Sequence, residues 1–256
     1  MTDSPTASQT SAPPAKPVQY RGTVKAMRSL ISDIRHIDIA VSEPGPIAFR
    51  PGQSIRLRIP TAPGQKELFR NYSFASPPHE SDHLELIIRR VPKGVGTGWI
   101  FEQLQVGMEV QFVGPFGRFG LSDTTLPMVW IAGGSGIAPF YSMLRHMHRT
   151  GIHRPCRLFF GAPSSDGLVL VDQMRRFEAQ LDGFQYVPVV DSPAPGWTGQ
   201  TGLVTAAVER CLAPDQPCEA YICGAPGMVA AAKTLLQAKG VPAERIFTDS
   251  LLGQDG

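Results

Sequence analysis

The stretch MVWIAGGSGIAP, residues 128–139, decides the fold of this chain. Its unbroken apolar run predicts a buried strand, and the glycine-rich turn Gly133–Gly136 ends that strand. After the turn, apolar residues recur at the spacing of a helix face, at Ile137, Phe140, Met143, Leu144 and Met147. The stretch therefore predicts one strand–turn–helix unit, the repeating element of a parallel sheet covered by helices.

The same alternation continues to the end of the chain. The segments RLFFGA, FQYVPVV, AYICGA and RIFTDSLL predict further strands, with helices expected at about residues 171–181, 203–211 and 228–239. Strands that alternate with helices indicate a parallel sheet with both faces covered. We therefore predict a Rossmann-like α/β domain over residues 125–256.

Upstream of this domain the apolar residues alternate with a period of two. QSIRLRIP and HLELIIRRV each place an apolar residue at every second position, and glycines and prolines separate such segments at short intervals. This pattern predicts an antiparallel barrel or sandwich over residues 19–124, with one short helix near Gly98 to Leu104. Residues 1–18 are mostly Ser, Thr, Ala and Pro and are predicted to form a disordered tail.

The composition limits the class of protein. Among the 256 residues, 42% are hydrophobic and 18% charged, which suits two folded domains. The net charge of +2 is spread along the chain, so we expect no nucleic-acid partner. No apolar run reaches the roughly 18 residues of a membrane span. Four cysteines without CxxC spacing predict reduced thiols and a cytoplasmic protein; we expect a monomer without a metal site.

Three glycine-bearing turns follow predicted strands of the α/β domain. They are Gly133–Gly136, Gly161–Ala162 and Gly224–Pro226. An open parallel sheet binds ligands at the carboxyl ends of its strands, where backbone amides and helix N-termini favour phosphate groups. A dinucleotide is the candidate ligand, while the alternative for any one turn is that glycine only permits tight helix packing.

The barrel half contains two segments that suit a pyrophosphate. Residues 70–73, Arg-Asn-Tyr-Ser, lie on a predicted strand, and residues 94–97, Gly-Val-Gly-Thr, precede the predicted helix. An arginine beside a helix N-terminus makes an anion site. The alternative is an exposed strand arginine and an ordinary helix capped by Thr97.

In this order the segments resemble the ferredoxin-NADP reductase family, in particular the reductase components of bacterial multicomponent oxygenases such as phenol hydroxylase. RNYSFAS is similar to that family's flavin motif, GVGT to its second flavin-phosphate segment, and GPFGRF to the strand that leads to the second domain. AGGSGIAP, ICGAPGM and IFTDSLL are similar to its nucleotide turn, its CGxP motif and its C-terminal segment. The resemblance implies a Greek-key flavin-binding barrel followed by a nucleotide-binding domain.

The resemblance also implies a set of site residues. Ser73, Cys223 and Asp249 would be catalytic: the Ser73 hydroxyl near flavin N5, Cys223 beside the nicotinamide, and Asp249 as a proton relay. The flavin-binding residues would be Arg70, Asn71, Tyr72, Ser73, Ile87, Ile88, Arg89, Gly94, Val95, Gly96 and Thr97, with Phe247 as a cover of the ring or, equally, a strand-packing residue. The nucleotide-binding residues would be Gly133, Gly134, Gly136, Pro139, Gly161, Asp191, Cys223, Gly224, Pro226 and Met228. FAD is preferred to FMN because residues 94–97 suit a pyrophosphate.

Asp191, at the end of FQYVPVV, indicates the hydride donor. A carboxylate there repels a 2'-phosphate and accepts a hydrogen bond from a free ribose hydroxyl, which favours NADH over NADPH. The alternatives are an ordinary turn cap at Asp191, and rescue of a 2'-phosphate by Arg175 and Arg176 if these face the pocket.

The prediction for the electron acceptor rests on a motif that the sequence lacks. The chain has no CxxxxCxxC cluster for a plant-type iron–sulfur centre. We therefore expect hydride transfer from NADH to bound FAD, and then single electrons to a separate ferredoxin, an oxygenase component or a small acceptor. The alternatives are a flavin reductase that releases reduced flavin, and a non-catalytic subunit that binds flavin and nucleotide.

Overall fold

The computed structural model describes residues 16–249 of the chain. Most of the predicted tail, and residues 250–252 of the IFTDSLL segment, lie outside this range. The described residues form two sheets, each with its own core, and the predicted boundary at residue 124 falls between the last strand of the first sheet and the first strand of the second.

The first sheet is antiparallel and has six strands. They are β1 (Val18–Ile31), β2 (Ile34–Glu43), β3 (Ser54–Ile59), β4 (Leu68–Ser73), β5 (His83–Arg89) and β6 (Glu109–Phe116), in the order β4-β3-β6-β1-β2-β5. Phe74, directly after β4, forms a bridge with Leu86 of β5, so the two edge strands meet and the sheet curls into a barrel. Because β6 returns to lie beside β3, the topology is a Greek key, as predicted.

Alternate residues fill the barrel, and the exceptions mark its contact with the second domain. The interior residues of β3 and β5 are Ile55, Leu57, Ile59, Leu84, Leu86 and Ile88. Ile87 points the other way, yet it is only 4% exposed because it packs against the α/β domain. The two adjacent isoleucines of HLELIIRRV therefore serve two different cores.

The short barrel helix α1 (Val95–Glu102) begins three residues before its predicted start. Gly94 is its N-cap, so the alternative in which Thr97 caps the helix is wrong. The Thr97 hydroxyl accepts a hydrogen bond from the Val91 amide at 3.0 Å and closes the preceding turn. The early start depends on a tertiary contact: a Cβ on Gly96 would lie 2.8 Å from Cγ of Arg70, so only glycine lets α1 approach β4 this closely.

The second sheet is parallel and also has six strands. They are β7 (Met128–Gly133), β8 (Cys156–Ala162), β9 (Phe184–Val190), β10 (Gln200–Thr201), β11 (Glu219–Cys223) and β12 (Ile246–Thr248), in the order β10-β9-β8-β7-β11-β12. The helices are α2 (Ala138–Thr150), α3 (Val171–Gln180), α4 (Val204–Cys211) and α5 (Pro226–Ala238). The sequence did not predict β10, since two residues carry no periodic pattern. The strand order reverses between β7 and β11, which is where such sheets bind ligands.

The two domains pack against each other through α2. Ile34, Ala75 and Ile87 of the barrel belong to the same apolar cluster as Phe140 and Met143 of α2. This shared cluster holds the barrel against the carboxyl-end edge of the parallel sheet.

A buried ion pair anchors the segment that joins the domains. Arg154 and Glu219 lie 2.5 Å apart, and their side chains are 6% and 4% exposed. Arg154 also donates to the hydroxyls of Ser122 and Thr124, at 3.1 and 2.9 Å. The joining segment is therefore fixed to the α/β domain. Within residues 16–249, no helix is long and apolar enough to cross a bilayer.

Candidate functional site

A cleft of about 550 Å³ separates the barrel from the carboxyl ends of the parallel strands. Its lining includes a large part of the predicted site, namely Asn71, Tyr72, Ile88, Arg89, Thr97, Gly133, Gly134, Gly161, Asp191, Pro226 and Met228. Residues from two distant halves of the sequence therefore face one another across a single space. The cleft lies at the strand-order reversal, the position expected for a dinucleotide.

The turn after β7 lies against the end of β11, next to the cleft-lining residues Ser135 and Ala225. A Cβ on Gly136 would lie 2.2 Å from the carbonyl oxygen of Cys223 and 2.9 Å from the amide nitrogen of Gly224. Glycine at position 136 is thus a steric requirement of the backbone contact. Cys223 and Gly224, which are predicted to lie beside the nicotinamide, are therefore in contact with the glycine turn that is predicted to bind the pyrophosphate.

The three predicted catalytic residues meet where the two domains touch. The Ser73 hydroxyl donates to Oδ2 of Asp249 at 2.7 Å, and the Cys223 thiol lies 3.6 Å from the same oxygen. Ser73 ends β4, Cys223 ends β11, and Asp249 follows β12 and is 5% exposed. The arrangement joins the flavin motif of the barrel to the α/β domain through one carboxylate.

Cys223 is a neutral thiol in this arrangement. Burial raises the pKa of Cys223 well above its ordinary value, and the neighbouring charge of Asp249 raises it further. A thiolate nucleophile is therefore disfavoured. The thiol is instead a small, uncharged group and a weak hydrogen-bond donor.

Arg70 and the start of α1 make a cradle for an anion. The stem of Arg70 lies against Gly96 in the first turn of the helix, and its Nη1 donates to the carbonyl of Phe69 at 3.0 Å. The first amides of a helix have no intrahelical acceptor and carry the positive end of the helix dipole. An arginine with these amides suits a pyrophosphate, so the residues present fit a flavin dinucleotide.

Arg89 reaches across the cleft from the barrel. Its Nε donates to the Asp33 carboxylate at 2.7 Å, and its Nη1 would lie 3.0 Å from a Cβ placed on Gly134. Arg89 therefore places a positive charge beside the glycine turn. The side chain of Ile87, by contrast, turns away from the cleft and packs towards α2.

Asp191 lies at the far end of the cleft. Its amide donates to the carbonyl of Ala162 at 3.1 Å, so the loops after β8 and β9 run side by side. Arg175 pairs with Glu178 and lies over the ring of Tyr186. In the described part of the chain neither Arg175 nor Arg176 lines the cleft, so the alternative in which they bind a 2'-phosphate loses its premise.

Phe247 and Leu203 change the predicted set. The Phe247 ring stacks on Tyr221 with centroids 4.7 Å apart and does not line the cleft, which matches the strand-packing alternative. Leu203 was not among the predicted site residues. It lines the cleft together with Asp191, and its side chain is 65% exposed. It is the N-cap of α4, where a polar residue is usual, and that mismatch was a signal in the sequence.

Comparison with known proteins agrees with this geometry. Residues 21–120 match the family model of the oxidoreductase FAD-binding domain, and residues 130–234 match that of the oxidoreductase NAD-binding domain. The reductase component of propane 2-monooxygenase from Mycolicibacterium goodii is 36% identical over 241 residues, which cover 91% of this chain and 68% of the relative.

Two further relatives extend the comparison. The reductase component of phenol 2-monooxygenase from Pseudomonas sp. strain CF600 is 35% identical over 221 residues, covering 85% of this chain and 61% of the relative. The crystal structure of the Amycolatopsis cytochrome P450 reductase GcoB superposes with a TM-score of 0.83 at 29% identity, covering 92% of this chain and 70% of that one. The chain thus spans about two thirds of the length of its relatives.

Proposed function

The chain belongs to the family of FAD- and NAD-binding oxidoreductases of the ferredoxin-NADP reductase type, and on this premise we propose that it is the reductase of an oxygenase system. It oxidises NADH at bound FAD and passes electrons to a separate acceptor. The observation that carries this proposal is the Ser73–Asp249–Cys223 junction, which joins the flavin motif to the nucleotide site. When bound, FAD supplies the ability to accept a hydride and to release electrons singly.

The barrel residues hold and shield the flavin. Arg70 and the first turn of α1 bind the pyrophosphate through charge and backbone amides. Tyr72, which lines the cleft, packs against the ring and excludes water from it. Ile88 and Arg89 of β5 line the cleft, and their backbone would hold the ribityl chain.

The junction offers a proton site beside the residues that would hold the flavin and the nicotinamide. The hydrogen bond from Ser73 to Asp249 orients the hydroxyl, and the carboxylate is a site through which a proton moves to or from that hydroxyl. The neutral Cys223 thiol packs beside the nicotinamide without a competing charge. The glycine turn, together with Pro139 at the start of α2, shapes the pocket for the rest of the nucleotide.

The adenosine end of the cleft selects NADH. Asp191 accepts a hydrogen bond from the ribose and repels a 2'-phosphate. Gly161 lines the cleft and, having no side chain, lets Val204 at the start of α4 approach β8. Leu203 supplies an exposed apolar surface for the adenine. Pro226 and Met228, at the start of α5, cover the nicotinamide half.

The acceptor is a ferredoxin or an oxygenase component. The four cysteines are free and follow no iron–sulfur spacing, which supports an acceptor outside these 256 residues. Reduced thiols also fit a cytoplasmic protein. We propose that the chain works as a monomer, because the cleft is built from one copy.

The visible spectrum of the purified protein tests the proposal. We expect a yellow protein after addition of FAD, bleached by anaerobic NADH and re-oxidised by an oxidised ferredoxin. No bound chromophore would refute the reductase function. Colour without bleaching would identify a binding subunit, and saturation kinetics in added flavin would identify a flavin reductase.

A further inference from the structure

Helix α2 is the element that connects the two halves of the site. It begins directly after the turn that ends at Gly136 and lies between the parallel sheet and the barrel. Its Ser142 is fully buried, and the Ser142 hydroxyl donates to the carbonyl oxygen of Ser76 at 2.6 Å. Ser76 stands three residues after Ser73, so this bond ties the nucleotide domain to the end of the flavin motif.

One turn later, Arg145 makes the second connection. Its guanidinium contacts Glu85 at 2.8 Å and Glu80 at 2.5 Å, and the three side chains are 18%, 14% and 31% exposed. Both carboxylates belong to the barrel. The helix therefore contacts the barrel through a neutral hydrogen bond and a largely buried ion pair, three residues apart on one face.

Glu85 is itself held from the barrel side. His36 Nε2 lies 3.0 Å from the carboxylate oxygen that Arg145 contacts, and Arg28 donates to His36 Nδ1 at 2.9 Å. Arginine can only donate, so Nδ1 accepts and Nε2 carries the proton given to Glu85. The Glu85 carboxylate accepts hydrogen bonds from both His36 and Arg145, so His36 restrains it when Arg145 moves.

The backbone around Glu85 leads back to the flavin motif. The Ala75 amide donates to the carbonyl of Glu85 at 2.8 Å, and the Glu85 amide donates to the Ser76 hydroxyl at 3.1 Å. Residues 74–76 are therefore paired with β5 at the residue whose side chain binds Arg145. A displacement of α2 relative to β5 is transmitted to Ser73.

We propose that Arg145 is a positioning residue for hydride transfer. Through Glu85 it sets the distance between the nucleotide turn at the start of α2 and Ser73 at the end of β4. Arg145 does not line the cleft, so it acts on the approach of nicotinamide to flavin and not on the affinity for either. This role rests on the proposed function of the cleft.

The same carboxylates have a competing interpretation as a metal site. Glu80, His83 and Glu85 each place a possible ligand atom within 4.8 Å of the others. The guanidinium of Arg145 already contacts both carboxylates, so we interpret the group as an interdomain ion-pair network.

The test measures the limiting rate of flavin reduction by NADH in the FAD-loaded Arg145→Met variant. A misplacement of about 1 Å in the reacting groups costs up to about 100-fold, so we expect a rate lowered about 10- to 100-fold. The dissociation constants for NADH and FAD should change less than about threefold. The kinetic isotope effect with C4-deuterated NADH should rise, and Arg145→Lys should recover part of the rate.

Two controls separate positioning from stability. Arg149→Met is the same change on an exposed residue in the last turn of α2, and it should leave the rate unchanged. The double variant Arg145→Met/Glu85→Gln leaves no unpaired charge at Glu85, so it should regain thermal stability while hydride transfer stays slow. A wild-type rate in a folded Arg145→Met or double variant would overturn the proposal, as would a loss confined to NADH affinity.

A measurement on the apoprotein tests the role of Arg145 independently of the proposed reductase function. Amide hydrogen exchange of the apoprotein should quicken at residues 74–85 and 138–150 in Arg145→Met, and stay unchanged in α3 and α4. Unchanged exchange at both segments would overturn the interdomain link. If wild-type protein binds FAD but NADH fails to bleach it, the proposed function fails, while the exchange result still decides whether Arg145 couples the domains.

Discussion

Replacement of Gly136 by alanine adds a single methyl group where the turn after β7 lies against the end of β11. Gly136 lies in the short 3₁₀ turn between β7 and α2, and its φ is not positive, so alanine adopts this backbone without strain. The effect is therefore steric. The added Cβ would lie 2.2 Å from the carbonyl oxygen of Cys223 and 2.6 Å from its carbonyl carbon.

The magnitude follows from these distances. A carbon–oxygen contact requires about 3.3 Å, so the turn and the end of β11 must separate by about 1 Å. Both neighbours are backbone atoms in a sheet and cannot swing aside. Overpacking of this kind costs about 1–3 kcal/mol of unfolding free energy. A shift of about 1 Å at the nicotinamide site should also slow hydride transfer about 100-fold.

The assay is anaerobic stopped-flow reduction of bound FAD by saturating NADH, together with a denaturant unfolding curve. Gly98→Ala is the matched control, because a Cβ on Gly98 meets nothing within 4 Å and the residue lies inside α1. That control should gain about 0.5–1 kcal/mol of stability and keep the wild-type rate. A Gly136→Ala protein with wild-type rate and stability would refute the steric reasoning.

Three further predictions concern single side chains. Asp191→Ser should lower the ratio of kcat/KM for NADH to that for NADPH at least about tenfold, corresponding to about 1.4 kcal/mol; an unchanged ratio removes the specificity argument. Ser73→Ala removes a hydrogen bond to a carboxylate worth about 1.5–3 kcal/mol, so flavin reduction should slow about 10- to 100-fold while FAD stays bound. Full activity in that variant would exclude the role of Ser73. Burial opposes ionisation of Glu85, but the hydrogen bond from His36 and the charge and hydrogen bond of Arg145 outweigh it and lower the Glu85 pKa from 4.5 to about 2. A lowered pKa stabilises the fold fully above about pH 4.5, and this stabilisation is lost as the pH falls towards 2. The stability difference between wild type and Glu85→Gln should therefore shrink by about 3 kcal/mol over that range, measured by denaturant titration; a constant difference would contradict it.

The α/β domain could be predicted closely because its signals are local. The apolar run of MVWIA, the glycine turn and the helical spacing after it are all contained in about twenty residues, and β7 and α2 appear where expected. The barrel strands followed from alternation for the same reason. The two-residue β10 was not predicted because two residues carry no periodic pattern, and their strand conformation depends on pairing with β9.

The start of α1 shows where local signals end. Together with their sequence neighbours, Gly94 and Gly96 predict a turn, and the predicted helix begins only after them. In the structure Gly96 is the point at which α1 packs on Arg70, so the same residue that suggests a break permits the helix. Ile87 is similar, since its burial depends on a helix more than fifty residues away.

The sequence by itself determined the two-domain order, the strand and helix types and the motifs that the family shares, because each depends on short-range periodicity and turn chemistry. Only the tertiary structure decided that Ser73 and Cys223 contact the same carboxylate oxygen of Asp249. The same holds for the packing of Phe247 on Tyr221 and for the ion pair by which Arg145 joins α2 to the barrel. These contacts link residues separated by up to 176 positions, and such proximity is set by sheet order and domain packing.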